Sequence, residues 1–305
     1  MLSYVVRRLV GTAYVLCGVA TAVFFILHLT GDPAAVMMPP ESTADEIAAF
    51  RHLHGFDRPL LAQFVLFLAA AVRGDFGDSL RHGEPALGLV LARLPASGQL
   101  ACAALFVAVA VAIPAGVLAA LWRNSLLDVV ARAGALLGQS MPVYWLGIML
   151  IFVFSVQLGW LPTGGSGGLS HLVLPALTLG LFTMAKLMRL TRAAMLDILQ
   201  SDYLRTARAK GVGPVALILR HALRNALLPI VTVIGLELGT LFSQAIITET
   251  IFAWPGIGRL AVEAIYDRDY PLVEVVVLLS ASAFVLINLL VDLAYSLLDP
   301  RIRYE

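Results

Sequence analysis

Charge is scarce in this sequence. Asp, Glu, Lys and Arg make up only 13% of its 305 residues, against about 25% in an ordinary soluble domain. The few charges nearly cancel, 21 Lys and Arg against 20 Asp and Glu for a net +1, so nothing points to a nucleic-acid partner. Cysteine is scarcer still: Cys17 and Cys102 both fall inside apolar runs. They lack metal-ligand spacing and lie away from any candidate external loop, which argues against a disulfide framework and leaves a lipid-facing or core-packing role. Catalytic signatures are missing too. There is no GxxxxGKS/T to hold ATP in a P-loop, no HExxH and no GxSxG, which disfavours an intramembrane enzyme and assigns any energy source to another polypeptide. No close internal repeat is visible, which leaves a secondary transporter of two inverted halves without support.

Apolar residues fill the space those absences leave. They make up 60% of the chain, with a mean hydropathy of +0.88, the composition of a polytopic membrane protein. A span needs about 20 apolar residues, and six runs qualify: Leu9–Leu29, Ser97–Leu121, Ala133–Leu158, Leu172–Leu190, Ala226–Thr248 and Val273–Leu297. The first follows Arg7-Arg8 as a signal peptide would. It is longer than a usual signal core, no small-residue cleavage site follows, and it reads as a retained span. The longest polar region, Thr30–Pro95, separates the first two runs; its apolar Gln63–Val72 is too short to cross. Pro95, Pro114, Pro142, Pro175 and Pro229 fall at or within spans, where they kink helices and free backbone groups.

Cations orient the chain. With the N-terminus inside, fourteen Lys and Arg are cytoplasmic and seven external, most of the latter in the long first loop, which carries least weight. The expected architecture is all-α, with six transmembrane helices and both termini cytoplasmic. Residues 1–95 hold the first span and a large external loop, and residues 96–305 the remaining helices. Histidines His28 and His171, and the pair His52 and His54, lack the companions a metal site needs.

One stretch departs from this pattern. Asp202–Pro229, DYLRTARAKGVGPVALILRHALRNALLP, carries Arg205, Arg208, Lys210, Arg220, Arg224 and His221 between two apolar runs. Gly211, Gly213 and Pro214 break it, which predicts two short helices at an angle on the cytoplasmic side. Thr206-Ala207 with Gly211 four residues beyond Ala207, ending in Leu227-Leu228-Pro229, resembles the Glu-Ala-Ala (EAA) loop of permease subunits from binding-protein-dependent ABC importers. Thr206 stands where that loop usually has Glu, and DYLRTARAKG is similar to the version in the dipeptide, oligopeptide and nickel branch. MLSYVVRRL, LTGDPA (29–34), LHGFDRPLLAQF (53–64), RGDFGDSL (73–80), LGWLPTGG (158–165), LPALTLG (174–180) and ETIFAWPGIGRL (249–260) extend the resemblance over the whole chain. VFSVQLGWLPT (153–163) and the ending DPRIRYE are most similar to the glutathione-importing members.

The resemblance implies a type I ABC importer permease fold and an inner-membrane subunit that carries glutathione, di- or oligopeptides, with nickel or an opine as alternatives. It implies no cofactor in this chain, with ATP and Mg held by two ATPase subunits. The other implied partners are a second homologous permease, a periplasmic solute-binding protein and membrane lipid. It also implies that residues 202–229 couple to the ATPase through Arg205, Thr206, Ala207, Arg208, Lys210 and Gly211. Ionisable groups inside spans are functional candidates in their own right. Glu237 lies mid-span, and Asn288 and Asp292 share a helical face; these three are candidates for the translocation path.

Overall fold

The computed structural model describes residues 2–29, 33–38, 41–53 and 55–298; Asp32, His54, Arg301 and Arg303 lie outside them. Every regular element among the described residues is a helix: α1 (Leu2–Leu29), α2 (Pro33–Met37), α3 (Ala44–Leu53), α4 (Leu60–Arg73), α5 (Ala86–Leu121), α6 (Leu126–Ser140), α7 (Val143–Gln157), α8 (Leu169–Leu199), α9 (Asp202–Ala209), α10 (Pro214–Ile251), α11 (Ile257–Tyr266) and α12 (Tyr270–Leu298). The end of α7, Ile151–Gln157, and the stretch Leu217–Ala222 of α10 are π-helical.

Five helices are long and apolar enough to cross a membrane, within α1, α5, α8, α10 and α12, and a sixth if α6 and α7 count as one broken span. That third apolar run is where the structure departs most from a simple rod. α6 and α7 meet at 108°, because Met141, which precedes Pro142, is driven out of the helical region to φ −79°, ψ 129°. α5 also begins earlier than the apolar run suggests, at Ala86, with Pro95 inside it. At 36 residues it is about 54 Å long, well beyond a hydrocarbon core of about 30 Å, so one end must stand clear of the membrane. α4, with 14 residues, is too short to span, as its sequence suggested.

The chain divides into two compact units. The first comprises Met1–Ser97 and Pro255–Leu289. In it α4 packs on α1 through Phe24, whose ring lies 5.3 Å from Phe64 and 5.6 Å from Phe67. Ser97 Oγ accepts a hydrogen bond from Ile257 N at the start of α11 (2.8 Å). Asp269 caps α12, accepting from Leu272 N through Oδ1 and from Ser79 Oγ through Oδ2. His82 Nδ1 also meets Ser79 Oγ, at 3.0 Å. The serine thus stands between histidine and aspartate, whereas a nucleophile triad needs the histidine in the middle; this cluster is a cap.

The second unit, Gly98–Trp254 with Leu290–Leu298, is organised on α8. α5 reaches α8 backbone to backbone: a Cβ added to Gly180 would lie 2.6 Å from Ala104 O, and one added to Gly116 would lie 2.7 Å from Met188 O. Small residues allow this approach where no hydrophobic effect between helices is available. α6 is fastened by Asp128, fully buried in its first turn. Arg192 of α8 grips both its oxygens (Nε to Oδ1 2.6 Å, Nη2 to Oδ2 2.8 Å), Arg132 Nε adds a third contact at 3.2 Å, and Asn124 N donates to Oδ2. The loop after α7 is pinned by Gly165 N donating to Phe252 O (2.7 Å).

Replacing Gly180 by Ala is expected to force α5 and α8 apart, at a cost of about 1–3 kcal/mol. Gly134→Ala, where an added Cβ meets nothing, should be neutral. Thermal unfolding of the purified variants in detergent reads the difference.

Candidate coupling segment and intramembrane charges

α9 follows α8 after only Gln200 and Ser201. Its eight residues have one inward anchor, Leu204, which is 2% exposed and packs with Val117, Met195, Leu217, Ala222 and Ala226. Arg205, Thr206, Arg208, Ala209 and Lys210 are exposed, and Ala207 is half-buried. The exposed pair Arg205–Asp202 (3.3 Å) contributes little to stability.

Gly211 ends α9 for a conformational reason. Val212 N donates to Ala207 O (3.2 Å) and Gly211 N to Arg208 O (3.0 Å), the two bonds of a Schellman cap, while Ala207 and Val212 pack on the same cluster as Leu204. The cap needs a left-handed residue at Gly211, and its φ is +79°. A Cβ there would meet nothing within 4 Å, so conformation and not crowding within this chain selects glycine. A second tie holds α9 to α10: Asn225 Nδ2 donates to Tyr203 Oη (2.9 Å) and to His221 O (3.0 Å).

The expectation of two separate short helices holds only for the first. After Gly213 the chain enters helix at Pro214 and runs through the π-helical Leu217–Ala222 into α10 without a break. Pro at the first helical position is favoured, since its missing donor would be unpaired there anyway. The second half of the segment is therefore the foot of a span. Val215 and Leu219 on it, and Tyr203 on α9, are apolar or aromatic and exposed.

Glu237 lies on α10 and is 4% exposed. Thr183 Oγ1 donates to its Oε2 (2.8 Å) and Lys186 Nζ to its Oε1 (2.6 Å), both from α8. The Lys186 side chain is 47% exposed. A carboxylate that leaves water needs such partners, because an unpaired buried charge costs several kcal/mol, on the order of 3–5 when a pair is broken. Asn288 is half-buried on α12; the side chain of Asp292 lies outside the described residues. Among the described residues no group of three His, Cys, Asp or Glu comes together as a metal site would require.

Several of these contacts were not singled out from the sequence. Asp128 is one, although an Asp opening an apolar run, with Arg132 four residues on, was a readable signal. Thr183, Tyr203 and Asn225 are others, and their partners are distant in sequence, which a single chain read linearly does not reveal.

An all-helical chain of five or six spans, with a capped basic helix between two of them and charges paired inside, has the build of a transporter's membrane subunit. Residues 112–304 match the family described as the binding-protein-dependent transport system inner membrane component, and residues 1–101 match the N-terminal region described for such membrane components. The chain belongs to this family and is an inner-membrane permease subunit of an ABC importer. It is 43% identical, over 100% of both chains, to the glutathione transport system permease protein GsiC of Escherichia coli (strain K12), and equally to that of Shigella dysenteriae serotype 1 (strain Sd197). In three dimensions it resembles a chain in the crystal structure of an amino acid ABC transporter with histidines (TM-score 0.50, 17% identity, 68% of this chain and 92% of that one), a likeness of fold alone. The subunit translocates and is not itself an enzyme.

The cap predicts a graded series at Gly211. Asn, which tolerates the left-handed region, should leave α9 intact, while Val should cost about 1–2 kcal/mol locally and open Arg208 and Lys210 to trypsin. Time courses of limited proteolysis on membranes check this. For the ion pair, Lys186→Met should destabilise on the order of 3 kcal/mol by stranding Glu237. Lys186→Met with Glu237→Gln should recover most of that loss. A double-mutant cycle on thermal stability measures the coupling.

Proposed function

We propose that the chain, together with a second homologous permease, imports glutathione or di- and oligopeptides across the inner membrane. The observation that carries the substrate class is 43% identity, end to end, with permeases named for glutathione transport. Membership of the family brings an ATPase and a solute-binding protein as partners. Two ATPase subunits bind ATP and Mg on the cytoplasmic side, and the solute-binding protein docks on the external side. Both termini are cytoplasmic, an orientation supported by the bias of Lys and Arg toward the faces that then lie inside. Residues 1–95 then supply the first span and an external loop.

Coupling falls to residues 202–229. Arg205, Thr206, Ala207, Arg208, Lys210 and Gly211 form the contact with the ATPase, helped by exposed Tyr203, Val215 and Leu219. Exposed cations beside exposed apolar side chains suit a groove that is apolar at its floor and acidic at its rim. Because α9 continues from α8 and is pinned through Leu204 and Tyr203, displacement at α9 moves α8 and α10 with it. On the translocation path, Glu237 acts with Lys186. The carboxylate holds the lysine in place, and the half-exposed ammonium offers a positive charge to a solute carboxylate. Asn288 and Asp292 add polar groups along α12.

Reconstitution with the partner subunits tests the substrate. ATP-dependent uptake of glutathione or dipeptides into proteoliposomes, exceeding uptake of nickel or an opine, is the expected result. Uptake of nickel or an opine alone would overturn the assignment. Glu237→Gln should lower the uptake rate more than it lowers assembly, read by quantitative purification of the complex beside the transport assay.

A further inference from the structure

The first unit holds a cavity of about 510 Å³, within the size range of pockets that take small organic ligands. Its walls are aromatic, with Phe50, Phe56, Phe76 and Tyr270 facing it, and two carboxylates, Asp78 and Glu274, line it. The segment that carries it contributes no Lys or Arg to the lining. Asp78 is exposed and Glu274 half-buried. Among the described residues the Glu274 carboxylate has neither a hydrogen-bond donor nor an ion-pair partner. Glu237 and Asp128 are more deeply buried, and each is met by a cation of its own chain; among the described residues Glu274 is met by none.

Besides the two carboxylates and Tyr270, His28 is the other titratable group in the lining. Its Nδ1 is bonded to Phe24 O and its Nε2 to Gln63 Oε1, so the ring fills space and offers no free donor to Glu274. Two carboxylates share the lining with this one imidazole.

A carboxylate with no donor among the described residues, inside aromatic walls, has the chemistry that holds an organic ammonium. The charge pairs with the carboxylate, and the ring faces attract the cation. We propose that this cavity binds the free ammonium group of a solute before translocation. The proposal rests on the reading of the chain as an importer of peptide-class solutes with residues 30–95 external, since the α-ammonium of a peptide or of glutathione is the group that would enter.

Binding is measured on the assembled importer in nanodiscs, with phenethylammonium and its neutral N-acetyl derivative as probes. The ammonium should bind at least about tenfold more tightly than the neutral probe, the scale of a partly desolvated cation on aromatic rings. Glu274→Gln should abolish that preference. Equal binding of the two probes by the native complex, or an unchanged preference in Glu274→Gln, overturns the proposal. Should Glu274→Gln fail to assemble, the exposed Asp78→Asn reads the same preference, and no weakening there overturns it. In transport, Glu274→Gln should raise the KM for glutathione and leave that for N-acetylglutathione unchanged; a parallel change in both marks Glu274 as structural and overturns the site. A native complex that binds phenethylammonium through Glu274 but moves neither peptide nor glutathione would sink the substrate reading and leave the site standing.

Discussion

The second unit depends on what α8 does with two carboxylates that have left water. Asp128 comes from α6 and Glu237 from α10, and α8 answers each with a cation, Arg192 and Lys186. Neither acid would tolerate burial alone, since an uncompensated charge costs more than the packing around it returns. Two helices are therefore locked to α8 in a defined register. A third, α5, is held by close backbone approach at Gly116 and Gly180. Helices in lipid gain no hydrophobic driving force from meeting one another, so polar ties and tight backbone contacts are the forces available to fix their arrangement.

That arrangement gives the segment at α9 its mechanical character. α9 is too short and polar to be stable by itself. It holds its place because it grows out of α8, buries Leu204 among residues of α5, α8 and α10, and closes with a Schellman cap at Gly211. The hydrogen bonds among Tyr203, Asn225 and His221 add a polar tie to the foot of α10. An ABC importer permease has to receive force from a subunit that hydrolyses ATP. A small rigid helix joined to the helix that gathers the bundle is a suitable receiver. On the proposed coupling role, the exposed cations would choose the partner and the buried anchor would carry the load.

Much of this was legible in the sequence. Six apolar runs were enough to indicate the fold class, and a basic interruption before the fifth, with a glycine at a fixed place in it, marked the short capped helix α9. Length and apolarity dominate in lipid because every backbone group must be satisfied within the segment, which leaves little beyond a helix. What escaped the reading depended on tertiary geometry. Pro142 was expected to kink a span and instead turns the chain by 108°, since proline constrains the residue before it and the sharpness is set by what packs on either side. The second coupling helix was expected to be separate, but Pro214 starts a helix as readily as it ends one. Lys186 and Arg192 have carboxylate partners 51 and 64 residues away, pairings that appear only in the fold.

The central claim is that α9 is a rigid contact for the ATPase, turned outward on one buried side chain. Site-directed cross-linking addresses it most directly, in a chain whose two exposed cysteines have been replaced through Cys17→Ser and Cys102→Ser. In the assembled importer, Thr206→Cys and Arg208→Cys should cross-link to the ATPase subunit and Leu204→Cys should not. Cross-linking strongest at Leu204→Cys, or none from α9 while the complex stays intact and transports, would contradict the account.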